Sequence, residues 1–164
     1  MPKSRGRSGR AGRPKKKFYP ISSPGGKRVV KLAADANVLL SALIGGQAIR
    51  VLRHQAIEEI LTTEATLAEV QEYAGRLARK RRLSVDLVLL AAAALPVTTV
   101  PRSVYASSLA EARKRIARRD PDDAELLALA IHFKLPVWSN DSDFENTGVV
   151  WHTTASLLAA LESR

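Results

Sequence analysis

The chain has 164 residues, 46% of them apolar, which is enough for one domain with a buried core. It has no cysteine, which excludes a disulfide framework, cysteine-ligated zinc and thiol catalysis, and fits a reducing cytoplasm. Its formal net charge is +10, a value suited to a nucleic-acid partner, but the charge is unevenly placed.

Residues 1–31 carry eleven Lys/Arg and no acid, whereas 32–164 carry fifteen basic and sixteen acidic residues, a net of −1. The chain therefore divides into a basic arm, 1–26, and a folded domain, 27–164. The arm is rich in Arg, Lys, Gly, Ser and Pro, a composition expected to be disordered on its own. Arg10, Arg13, Lys15, Lys16 and Lys17 are its candidate contacts to phosphates of RNA or DNA. RAGRPKKK, 10–17, is partly similar to an AT-hook, with Ala11 in place of the first arginine of the R-G-R-P core. SPGGKR, 23–28, is not a P-loop: it lacks the earlier glycine and the hydroxyl after the lysine. No apolar run approaches about 18 residues, so no membrane span is expected.

From Arg28 the pattern alternates. RVVKLAAD reads as a buried strand ending at Asp35, followed by a helix over ANVLLSAL and a second helical piece over 47–55. IEEILTT is a short strand. Helices are expected over 66–81 and 84–95, the second stopped by Pro96, and VTTV is a strand. Helices over 104–118 and 121–134 come next, then the strand PVWSND, the strand GVVWHTT and a last helix over ASLLAALE. Strands separated by helices argue for a parallel sheet covered on both faces.

In such sheets ligands sit beyond the carboxyl ends of the strands. Asp35 and Asp141 end two strands, with Asp143 two residues further on. Both also suit capping of the turns that follow. RDPDDAELLALAI, 119–131, opens a helix with Asp120 as N-cap, Pro121 as first residue and Asp122 in the first turn. Asp123 shares the helical phase of Leu126, Leu127 and Ala130, so it is open between a cap and an inward-facing site residue. Glu69 is open between a site and the third position of a capping box begun by Thr66. Glu72 and Glu125 read as solvated helix residues. Several carboxylates converging on one place need a cation or a proton, and oxygen ligands without His or Cys favour Mg²⁺ or Mn²⁺. His54, His132 and His152 are scattered and form no ligand pair or triad.

LAADANVLLSAL, TLAEVQEY, DPDDAELLALAI and PVWSNDSDFENTGVVWHTT, in this order, resemble the PIN domain family, and more narrowly the VapC-like branch of toxin–antitoxin ribonucleases. The resemblance implies a three-layer α/β/α sandwich around a doubly wound parallel sheet of about five strands. It implies Mg²⁺- or Mn²⁺-dependent cleavage of RNA, a small antitoxin protein as partner, and a homodimer. Asp35, Glu69, Asp123 and Asp141 match the family's catalytic acids, with Asp35, Asp123 and Asp141 as metal ligands. Asn37, Asn140, Asp143 and Asp120 match auxiliary positions, although position 140 is Asn where a hydroxyl residue or Arg is usual. A non-catalytic PIN-like nucleic-acid-binding or regulatory protein is the alternative.

The arm can be tested by its charge alone. Deleting residues 1–23 removes eight positive charges. The truncated protein should bind nucleic acid more weakly, and its plot of log affinity against log salt should flatten by about 0.7 to 0.9 for each phosphate that the arm neutralises in the full chain. Filter binding at several salt concentrations measures this. Identical slopes would show that the arm does not touch nucleic acid.

Overall fold

A computed structural model describes residues 21–22, 28–116 and 121–163. Asp120 and the arm residues Arg10, Arg13, Lys15, Lys16 and Lys17 lie outside them. Among the described residues, five parallel strands form the sheet: β2 (Arg28–Ala34), β3 (Ile57–Thr63), β4 (Thr98–Val100), β5 (Val137–Trp138) and β6 (Trp151–His152). Their spatial order is β4-β3-β2-β5-β6. The order reverses at β2, so the crevice between β2 and β5 is the topological switch point of a doubly wound sheet. A two-residue strand, β1 (Ile21–Ser22), runs antiparallel to the start of β2. It falls within the segment assigned to the arm.

Alternation along the strands builds the three layers. Val30, Leu32 and Ala34 of β2, Ile60 of β3 and Trp138 of β5 face one side. There they pack against α1 (Ala36–Leu43), α2 (Ala48–Leu52), α3 (Glu64–Lys80), α4 (Val85–Ala93) and α8 (Thr154–Glu162). Ala33, Leu61 and Val137 face the other side, against α5 (Arg102–Tyr105), α6 (Leu109–Arg115) and α7 (Pro121–Phe133). Adjacent residues serve opposite cores because successive strand side chains point to opposite faces. Helix α7 buries Ala124, Leu126, Leu127, Ala128, Leu129 and Ala130, so it packs on more than one side.

Several elements differ from the sequence expectation. The helix expected over 104–118 is three pieces, because α5 starts directly after Pro101 and a 3₁₀ turn at Ala106–Ser108 separates it from α6. Serines 107 and 108 favour this break, since their hydroxyls compete for backbone partners. The last two strands are two residues each, shorter than PVWSND and GVVWHTT suggested. Their ladder still reaches further: Asp35 N donates to Trp138 O at 3.0 Å and Ser139 N to His152 O at 3.1 Å. Lys31, in β2 as expected, has its ammonium 3.0 Å from Glu59 on the neighbouring strand. That hydrogen bond and charge raise the Lys31 pKa and lower that of Glu59.

Helix α3 starts at Glu64, two residues before the expected position. Its N-cap is Thr63, fully buried, whose Oγ1 accepts from Thr66 N at 2.9 Å. Thr66 is therefore the third helical residue, and the capping box that would have occupied Glu69 does not form. Replacing Thr63 by Ala should lower stability by about 1–2 kcal/mol. Glu69→Gln should stay within about 0.5 kcal/mol of wild type. Urea unfolding compares the two, and a loss confined to Glu69→Gln would return the helix start to Thr66.

Candidate metal centre

Because β2 to β6 are parallel, their carboxyl ends share one edge of the sheet. Asp35 follows β2 and caps α1, its Oδ1 accepting from Ala36 N at 2.7 Å. Its other oxygen, Oδ2, accepts from Ser139 Oγ at 2.7 Å and from Asn37 Nδ2 at 2.8 Å. Capping and site roles thus coexist in one carboxylate.

Ser139, one residue past β5, is fully buried. Besides donating to Asp35, its hydroxyl accepts from Asn37 Nδ2 at 2.9 Å and from Asp141 N at 3.0 Å. One donor and two acceptors is the full capacity of a hydroxyl. Ser139 was not among the residues expected from the sequence. The signal was present, a hydroxyl two residues before Asp141 at a strand end, but its meaning depends on β2 and β5 being neighbours. Asn37 completes the tie by accepting from Asn140 N at 3.1 Å.

Asn140 also reaches α8. Its Oδ1 accepts from Thr154 N at 2.9 Å, which holds the start of α8 against the β5 end. Trp138 Nε1 donates to the Thr154 hydroxyl at 3.1 Å and reinforces the same junction.

A cleft of about 350 Å³ opens at the switch point, lined by Asp35, Asn37, Glu69, Asp122, Asp123, Asp141 and Asp143. The structure brings together every acid of the expected set that lies within the described residues. It adds Asp122, which sequence reasoning had confined to the helix start. The β2, α3 and α7 elements and the turn after β5 each contribute at least one carboxylate. Asp141 caps a 3₁₀ turn (Ser142–Phe144) by accepting from Asp143 N at 2.9 Å, which directs both acids to one place.

Carboxylate oxygens of Asp123, Asp141 and Asp143 all lie within 4.8 Å of one another. Oxygens around an octahedral Mg²⁺ with ligands at about 2.1 Å stand about 3.0 to 4.2 Å apart. The donor set is that of a hard divalent cation, and a small inward shift of the oxygens brings the widest allowed separation, 4.8 Å, into this range. Among the described residues no His lines the cleft, so zinc has no preferred ligand there. Two carboxylates about 4 Å apart repel by about 4 kcal/mol at an effective dielectric of 20. A cation would remove that repulsion.

Glu125, expected to be solvated, is a correction. Its side chain is 15% exposed and lies 3.2 Å from Arg102 Nε. Its Oε2 accepts from the Tyr105 hydroxyl at 2.8 Å. Tyr105 is itself buried, and burial, then the bonded carboxylate, pushes its pKa well above the usual value.

In EDTA at low salt, Asp123→Asn and Asp141→Asn should equal or exceed the wild type in stability, by up to about 1 kcal/mol, because each removes one repelling charge. Urea unfolding measures the difference. A loss of more than about 1 kcal/mol in both would show that these charges hold the fold together instead.

Residues 33–162 match the family profile described as PIN domain. No curated protein matches the sequence. Among solved structures, the chain is similar to VapBC2 from Rickettsia felis bound to a DNA fragment from their promoter, at 13% identity and a TM-score of 0.60, over 76% of this chain and 98% of that one. It is similar to VapC20 of Mycobacterium tuberculosis, a Sarcin-Ricin loop cleaving toxin, at 18% identity and a TM-score of 0.55, over 73% and 96%. A toxin–antitoxin complex from Klebsiella pneumoniae gives 19% identity and a TM-score of 0.50, over 70% and 89%. At these identities the likeness is one of fold. The family match covers most of the chain, and the chain belongs to the PIN domain family.

Proposed function

We propose that this protein is a Mg²⁺- or Mn²⁺-dependent endoribonuclease and the toxin of a toxin–antitoxin pair. The observation that carries the reading is the cleft itself: six carboxylates from four parts of the chain meet at the switch point of the sheet. Family membership and the toxins among the similar structures support it. The complete acid set weighs against a non-catalytic PIN-like binding protein, which has no need to maintain so much mutual repulsion.

In this reading Asp35, Asp123 and Asp141 hold the cation, with Asp143 beside Asp141. Bound there, the ion would supply a Lewis acid that lowers the pKa of a water and offsets charge on the phosphate oxygens. Asn37 and Ser139 fix the rotamer of Asp35 through its Oδ2. Glu69 lines the cleft from α3 and orients the attacking water. Arg10, Arg13, Lys15, Lys16 and Lys17 contact nucleic-acid phosphates through their charge.

The partners follow from the same reading. A small antitoxin protein would bind this chain and block the cleft. A homodimer is supported by α4: Val88 and Ala92 are buried, but Leu87 and Leu90 are each 66% exposed. The apolar run over 87–95 is therefore core on one side and open on the other.

Incubation of the protein with total RNA and Mg²⁺, followed by mapping of cut ends, tests the activity. Wild type should cut at defined positions and EDTA should stop it. Asp35→Asn, Asp123→Asn and Asp141→Asn should each slow cleavage by about 100-fold or more while remaining folded. Cleavage at wild-type rates by all three would sink the assignment.

A further inference from the structure

Among the described residues, six acids and no cationic side chain line the cleft, yet an RNA strand brings negative phosphates to it. A bound ion answers for the phosphate that reacts. The flanking phosphates need another source of positive charge.

Arg102 stands where that charge is required. It begins α5, two residues past the carboxyl end of β4, on the same edge of the sheet as the cleft. Val100 pairs with Thr63, the residue from which the Glu69 helix starts. On the other side Arg102 meets Glu125 of α7. Glu125 is three residues after Asp122, which lines the cleft, and residues three apart on a helix have Cβ atoms about 5–6 Å apart. Arg102 thus lies beside α7, on the edge of the sheet that carries the cleft.

Its orientation is set from beneath. Glu125 is nearly buried, with Oε2 taken by the hydroxyl of buried Tyr105 and Oε1 facing Arg102 Nε. A carboxylate held on both oxygens is a fixed anchor. It engages the guanidinium through Nε, while the Arg102 side chain remains 57% exposed. The two terminal nitrogens are the edge that grips a phosphate in two parallel hydrogen bonds. A lysine cannot reproduce that geometry.

We propose that Arg102, oriented by the Tyr105–Glu125 pair, binds an RNA phosphate next to the one that reacts. The inference rests on the nuclease reading and adds to it a substrate contact outside the acid set. The contact is not part of the chemical step, so its loss should raise KM and leave kcat close to wild type.

The test uses the full chain and an RNA with 2′-O-methyl groups throughout, assayed with Ca²⁺ in place of Mg²⁺ so that it binds without being cut, together with its unmodified counterpart assayed with Mg²⁺. For Arg102→Ala, affinity for the uncleavable RNA should fall about fivefold, the scale of one partly exposed charge contact. The slope of log affinity against log salt should flatten by about 0.7, one single-strand phosphate contact. Arg102→Lys should restore the slope but not the full affinity. Glu125→Gln should lose affinity while keeping the wild-type slope, because the charge remains and only its orientation is lost. Unchanged affinity and slope in Arg102→Ala, with its fold verified by urea unfolding, would overturn the proposal. A wild type that binds the modified RNA but cuts no RNA would overturn the nuclease reading, and the slopes would still decide Arg102. A wild type that binds no RNA overturns both.

Discussion

The structure depends on one carboxylate being shared across the switch point. Asp35 ends β2, and its Oδ2 accepts from Ser139, which follows β5. The two residues are 104 apart in sequence, and their strands are adjacent in space. Their hydrogen-bonded edge places the cleft where the sheet changes direction. The tie is dry on the Ser139 side and open on the Asp35 side, since Ser139 is fully buried and Asp35 borders the cleft. A buried hydroxyl with every lone pair and proton engaged admits little displacement. The acid it holds is therefore rigid before any ligand arrives, which is the condition for preorganised chemistry.

The remaining carboxylates arrive by independent routes. Glu69 comes from α3, whose start is set by buried Thr63. Asp122 and Asp123 come from the first turn of α7, where the macrodipole favours negative charge. Asp141 and Asp143 come from a single capped turn. No one of these elements would assemble the cleft by itself. Assembly follows from packing, because Val70 and Ala74 of α3 join one core and Leu126 and Leu127 of α7 join the other. Apolar burial of side chains such as these, about 1.5–3 kcal/mol for a fully buried Leu or Val, offsets the repulsion that the acids introduce.

Much of this was legible in the sequence, for reasons that can be named. Asp35 and Asp141 stood at the ends of apolar runs, and alternation of strands with helices implied that those ends share an edge. The phase that Asp123 shares with Leu126 and Leu127 left it open between cap and site, and only the family resemblance set it among the acids. Other residues needed three-dimensional information. Ser139 looked like an ordinary strand-end serine until β2 and β5 proved to be neighbours. Glu125 looked solvated because nothing in α7 announces the Tyr105 hydroxyl arriving from the preceding segment. Lys31 was counted in the basic excess of residues 1–31 because charge counting ignores strand register, which pairs it with Glu59. Glu69 stayed ambiguous because Thr63 and Thr66 are both acceptable caps. The Thr63 hydroxyl, which accepts from Thr66 N, decided between them.

Everything proposed for the cleft requires that its clustered acids take up a divalent cation. Titration of Mn²⁺ into the protein, followed by loss of the free-ion signal in electron paramagnetic resonance, measures this without reference to any substrate. The wild type should show saturable uptake, competed by Mg²⁺, and a variant carrying both Asp123→Asn and Asp141→Asn should show none over the same range. A wild type that leaves the Mn²⁺ signal unchanged, or a double variant that takes up the ion as the wild type does, would contradict the assignment.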